Sequence, residues 1–185
     1  MALLHRATLT PSKPELLAAW LPRQPWAAGL PELTPFGSYR IDDPEGEVGM
    51  EGILLRSADG DVVVHVPLTY RGAPIAGAGD HMLGSMVHSV LGTRWVYDAP
   101  ADPVFVATMT ATIVGGGTNA EEYFEVDGER VLREPTVRVT GSGGEPGELV
   151  VVRVVGEPVE GDATLVGRWD GGEGVLAALR SAERR

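Results

Sequence analysis

Phosphoryl transfer is the first chemistry to test, and it turns on a lysine. A kinase needs one on an inner strand to hold phosphates, a catalytic His-x-Asp segment and metal-binding carboxylates. The chain has a single lysine, Lys13, which falls in the first turn of a predicted helix. None of His5, His65, His81 or His88 is followed two places later by aspartate, and no Walker pattern occurs. A self-sufficient kinase is therefore excluded. Serine hydrolysis fares no better, because no Gly-x-Ser-x-Gly elbow exists. His88-Ser89 with Asp98 supplies the residue types of a triad, but adjacent side chains point apart on a strand or a helix.

The segment Gly115-Gly116-Gly117-Thr118-Asn119-Ala120 contains Gly-x-Gly-x-x-Ala, the spacing of a dinucleotide phosphate turn. That turn needs an entering strand and a full outgoing helix whose amides face the pyrophosphate. Here the outgoing segment meets Asp127-Gly128 after a few residues and carries Glu121, Glu122 and Glu125. A helix C-cap followed by a loop is the better reading. His81 and His88 would share a helix face, but Gly84 weakens that helix and no carboxylate pair lies nearby. The acidic cluster Asp42-Asp43-Pro44-Glu45-Gly46-Glu47 lacks EF-hand spacing and reads as a solvated turn. No metal or cofactor is expected.

One region does gather useful side chains. Residues 67–98 hold Tyr70, Arg71, His81, His88, Arg94, Trp95, Tyr97 and Asp98 among small residues and glycines. Rings that stack, and arginine forks that fix orientation, are what a sugar pocket or a protein hot spot uses. Sheet-edge aromatics with surface ion pairs would give the same composition.

The whole chain limits the partners. Fifteen Lys+Arg against 26 Asp+Glu leave a formal charge of −11, which repels phosphate backbones and anionic membranes. Without cysteine there is no disulfide framework or thiolate site. No apolar run approaches the ~18 residues of a membrane helix. The start, Met1 to Arg6, does not read as a signal peptide. A cytoplasmic protein that binds neither nucleic acid nor membrane is expected. With 185 residues and 43% hydrophobic content, residues 1–185 are expected to form a single domain.

The elements that would position these residues are short, since 25 glycines and 14 prolines punctuate the chain. Alternation predicts a hairpin over residues 52–68 turning at Asp59-Gly60, and another over 121–132 turning at Asp127-Gly128. A third would pair residues 136–140 with 149–155, and a fourth would turn at Asp170-Gly171-Gly172. Hairpins in series imply an antiparallel sheet. Ser12 and Glu15 have capping-box spacing for a helix that Pro22 stops. Asp102 and Pro103 open a second helix running to Val114. Its alternating Phe105, Ala107, Met109, Ala111 and Ile113 would also suit a strand, and the caps decide for helix. The Pro-rich residues 22–44 read as a structured loop.

Several stretches together resemble the maltokinase N-terminal cap-like family, short actinobacterial proteins similar to the domain preceding the kinase lobes of maltokinase. They are residues 7–13, Trp20 to Trp26, residues 43–49, Val66-Pro67-Leu68-Thr69-Tyr70-Arg71-Gly72 and residues 88–98. Trp20, Gln24 and Trp26 carry the link to the maltokinase cap itself. Pro25 and Ala27 depart from the Arg and aromatic residue usual in the kinases. The resemblance implies an α+β fold, a curved antiparallel, cystatin-like sheet built of hairpins with one or two packed helices. It implies no catalytic residue, because the family's phosphoryl-transfer groups lie in the lobes.

The expected function is thus a non-catalytic, stand-alone cap-like interaction or regulatory module in trehalose–maltose–α-glucan metabolism. Its partner would be a sugar kinase or an α-glucan enzyme. The alternative is a binder of a sugar, sugar phosphate or nucleotide through Tyr70, Arg71, His88, Arg94, Trp95 and Asp98.

Overall fold

The computed structural model describes residues 2–4, 8–126 and 129–181. In chain order the elements are β1 (Ala2–Leu4), β2 (Leu9–Thr10), α1 (Lys13–Trp20), β3 (Leu33–Ile41), β4 (Gly49–Ser57), β5 (Val63–Arg71), β6 (Met82–His88) and β7 (Gly92–Asp98). There follow α2 (Pro103–Val114), β8 (Glu122–Val126), β9 (Glu129–Arg133), β10 (Val137–Gly141), β11 (Glu148–Val151), β12 (Ala163–Trp169) and β13 (Gly172–Arg180). Short 3-10 turns follow α1 and precede β6 and α2.

A six-stranded sheet, ordered β2-β6-β7-β5-β4-β3, forms the centre, and all its pairings are antiparallel. It curls into an antiparallel half-barrel, so the curved α+β architecture implied by the resemblance is what the chain adopts. The β4–β5 hairpin turns through Asp59-Gly60 as alternation predicts, and Gly60 takes a φ of +82°. Every residue from Met50 to Leu55 and from Val64 to Thr69 is buried. Such runs mean that both faces of these strands are covered, as the pattern of a half-exposed strand would not allow.

Helix α1 covers one face. Ser12 and Glu15 form the reciprocal capping box, and Leu16, Leu17 and Trp20 pack on Ile53, Leu55, Val66, Leu68 and Val96. The other face holds α2, whose buried stripe Phe105, Met109 and Ile113 recurs every four residues. That stripe lies between Tyr39, Met50 and Leu54 of the central sheet and Val139, Leu165 and Leu176 of a second, four-stranded sheet. Asp102 accepts a hydrogen bond from the Val104 amide at 3.0 Å, so the caps and the helical period prevail over the alternating pattern.

The four-stranded sheet corrects one expectation. Its order is β10-β12-β13-β11, so residues 136–140 do not pair with 149–155. The β12–β13 hairpin, joined through Asp170-Gly171, inserts between them: β10 pairs β12 and β11 pairs β13. The two-residue turn makes β12–β13 the most local pairing in this sheet, and it is the pair that occupies the centre. Residues 22–44 are also more regular than a loop, since 33–41 form the edge strand β3. A register shift between Pro35 and Gly37 disguises its alternation. β8 and β9 pair antiparallel and β1 joins β8 in parallel; the turn at Asp127-Gly128 lies outside the described residues.

Candidate interaction surface

The eight residues singled out between 67 and 98 fall on β5, β7 and the β6 region, and alternation separates them. Arg71 is the cross-strand partner of Trp95, and Thr69 that of Tyr97, which puts Arg71, Trp95 and Tyr97 on the α2 face. Tyr70 lies opposite Val96 and Leu68 opposite Asp98, so Tyr70, Arg94 and Asp98 belong to the α1 face. The eight side chains therefore do not meet in one cleft.

Four of them are engaged inside the fold. The Tyr70 hydroxyl donates to Glu51 Oε2 at 2.9 Å, and Lys13 Nζ stands 5.3 Å from the centre of its ring. Burial, then the Glu51 charge, drives the Tyr70 pKa well above its ordinary value. Arg71 makes a bidentate pair with Asp102, with Nε–Oδ2 at 2.7 Å and Nη2–Oδ1 at 2.6 Å. The Tyr97 hydroxyl accepts from the Ile75 amide at 3.0 Å. Asp98 Oδ2 accepts from Arg153 Nη2 at 2.6 Å. Hydrogen bonds and ion pairs within the fold engage all four, while Asp98 Oδ1 and Arg153 Nη1 are buried without a hydrogen-bond partner.

The other four face outward or partly so. His81 is exposed at the end of a 3-10 turn. His88 ends β6, and its Nδ1 accepts from the amides of Val90 and Leu91 at 3.2 and 3.1 Å, shaping the hairpin turn. Arg94 and Trp95 are half-buried on β7. Between them the β6–β7 hairpin exposes Val87, Val90 and Leu91 at 56%, 55% and 48%, with Met82 also outward. These aliphatic residues were not among the expected contacts. The absence of any Asp or Glu from Met82 to Tyr97 was the available signal. His81 and His88 do not share a helix; β6 is a strand with a register shift between Met82 and Gly84. Among the described residues no group of three or more His, Asp or Glu is arranged to hold a metal ion.

The remaining motifs have structural duties. Asp43 accepts from the amides of Glu45, Glu47 and Val48, which makes the acidic cluster a self-bonded turn. Gly115 caps α2, and Asn119 in the following loop accepts from the Val139 amide at 3.1 Å. A cavity of about 460 Å³ lies away from the hairpin, bounded by Leu21, Pro22, Ala27, Leu30, Glu32 and Leu33. No described helix is long and apolar enough to cross a membrane.

A curled antiparallel sheet with a helix on each face, and a hairpin whose tip is apolar, defines an α+β fold. Residues 20–102 match the sequence model of the maltokinase N-terminal cap domain. The match runs from the last residue of α1 to the N-cap of α2, taking in β3 to β7 and Trp20, Gln24 and Trp26. The resemblance read from the sequence is therefore carried by the central sheet. No curated protein matches the chain.

Proposed function

We propose that these 185 residues act as a non-catalytic, cap-like interaction or regulatory module for a sugar kinase or α-glucan enzyme of maltose and trehalose metabolism. One observation carries the reading: a cap-domain match spans residues 20–102 of a chain that has one lysine and no phosphate-transfer set. The engaged state of Tyr70, Arg71, Tyr97 and Asp98 favours a contact surface over a sugar pocket, because each already makes at least one hydrogen bond inside the fold. Mixing the purified protein with a maltokinase-type kinase, and separately with an α-glucan enzyme, tests it. A complex on size-exclusion chromatography or a changed kcat/KM is the expected result. ATP turnover with maltose by this chain alone, or no complex and no kinetic effect with either enzyme class, would end the proposal.

A further inference from the structure

From Met82 to Tyr97 the chain carries no Asp or Glu, although the whole sequence has 26. The same stretch forms the β6–β7 hairpin, and four of the exposed large aliphatic side chains, Met82, Val87, Val90 and Leu91, stand on it. Its outer neighbour β2 pairs only with Val87 and His88, because the chain turns away at Pro11 into α1. Arg94, two register pairs behind the tip, has no carboxylate partner among the described residues; its guanidinium lies over Gly72, where a Cβ would come 2.8 Å from Nη1. Trp95 emerges beside it on the opposite face. Tryptophan and an uncommitted arginine are side chains that concentrate binding energy in protein interfaces, and exposed aliphatics beside them keep water from such contacts.

Charge selects the occupant. In a symmetric contact between two hairpins, residues 82–97 of the second copy would offer Arg94 no carboxylate, while two bodies of −11 repelled one another. A different protein that places a carboxylate beside an apolar recess has neither penalty. We propose that the β6–β7 hairpin is a plug: Val87, Val90 and Leu91 enter an apolar recess on a second, unlike protein, and a carboxylate at its rim pairs with Arg94. This rests on the interaction-module reading and adds the face and the partner's chemistry to it.

The test places a photo-crosslinking amino acid at Val90 in the full chain, with Val131 on β9 as an equally exposed control, inside cells of the source organism. The expected outcome is an adduct from position 90 with one unlike protein, mapped to a peptide bearing Asp or Glu. Arg94→Glu should reduce that adduct at least tenfold at an unchanged Tm, and charge reversal of the mapped acid to Arg should restore it. No adduct, an adduct with a second copy, equal labelling from position 131, or an adduct indifferent to Arg94→Glu overturns the plug. The two proposals fail separately. An Arg94-dependent adduct with a protein that has no sugar or glucan substrate removes the functional reading and keeps the plug. A complex with a sugar enzyme that crosslinks only through other faces does the reverse.

Discussion

The hydroxyl of Tyr39 donates to His65 Nε2 at 2.9 Å, in the middle of the protein. The opposite ring nitrogen, Nδ1, lies 3.1 Å from the Leu176 carbonyl, which can only accept, so Nδ1 carries the proton. Tyr39 and His65 belong to β3 and β5 of the central sheet and Leu176 to β13 of the other. The chain of bonds therefore ties the two sheets through a neutral imidazole with no exposure to solvent.

Acid should weaken that tie. Burial, and then the nearby Arg153 charge, lowers the His65 pKa from 6.5 to about 3, while backbone acceptors at Val152 and Leu176 oppose the shift. The unfolded state then binds the extra proton first, so this contribution is complete above pH 6.5 and is lost as pH falls toward 3. The slope in that window is at most about 1.4 kcal/mol per pH unit, the value for one proton. Urea unfolding of the natural protein and His65→Gln at pH 7, 5.5 and 4 measures it. The gap in stability should narrow with acidification; a gap that stays constant would refute the assignment.

Gly52 is the cross-strand partner of Tyr39, and the phenol ring lies directly over it. A Cβ at Gly52 would stand 2.2 Å from Tyr39 Cε1 and 2.6 Å from its hydroxyl. The ring cannot move without breaking the His65 bond. Gly52→Ala should therefore cost about 1–3 kcal/mol or more, as overpacking in a dense core does. A Tm within a degree of the natural protein would show that the ring has room.

Asp102 serves α2 twice, as its N-cap and as the partner of Arg71. Burial tends to raise its pKa, but the Arg71 hydrogen bonds, the Val104 amide and the Arg71 charge outweigh that and hold it below the ordinary carboxylate value. Asp102→Ala should destabilise by about 3 kcal/mol or more, since it leaves a partly buried guanidinium unpaired and the helix uncapped. Asp102→Asn retains a good cap and should cost less. Guanidinium unfolding of both variants checks the order, and equal losses would mean that the cap contributes nothing.

Lys13 holds α1 to the sheet through Glu51 Oε2 at 2.5 Å. Burial works to raise the Glu51 pKa, yet Lys13, Arg40 and the Tyr70 hydroxyl together bring it below its usual 4.5. Lys13→Ala would strand a buried carboxylate. With Lys13 partly solvated, a loss of about 2–3 kcal/mol is expected, larger than that of Glu51→Gln, which removes the charge needing a partner. Cleavage near residue 20 in limited proteolysis should accelerate in Lys13→Ala. An unchanged cleavage rate would show that the apolar stripe alone anchors the helix.

Much of this was legible because it is local. Ser12 with Glu15, Asp102 with Pro103, Asp59-Gly60 and Asp170-Gly171 each specify a cap or turn through groups a few residues apart. What was not legible depends on distant segments. Nothing near Thr136 indicates that β10 pairs with a strand beginning at Ala163, since both β11 and β12 offer alternating apolar residues. Pro35 and Gly37 interrupt the pattern of β3, whose burial comes from Val137 and α2 rather than from its neighbours in sequence. At the candidate surface, residue types could be read but their partners could not. Arg71 and Asp98 are taken by Asp102 and Arg153, 31 and 55 residues away, whereas Arg94 pairs with no acid among the described residues. His65, on the strand face opposite Val64 and Val66, is covered by the second sheet, whose Leu176 carbonyl meets its ring.

The far rim of the central sheet, along β3, is already stitched shut. Ser38 exchanges hydrogen bonds with Thr136 Oγ1, and the Ala120 amide occupies the Arg40 carbonyl. Both broad surfaces lie under helices. Strand addition to the central sheet is consequently disfavoured along the Ser38–Arg40 stretch of β3, where a visiting backbone would have to displace contacts the protein already makes with itself.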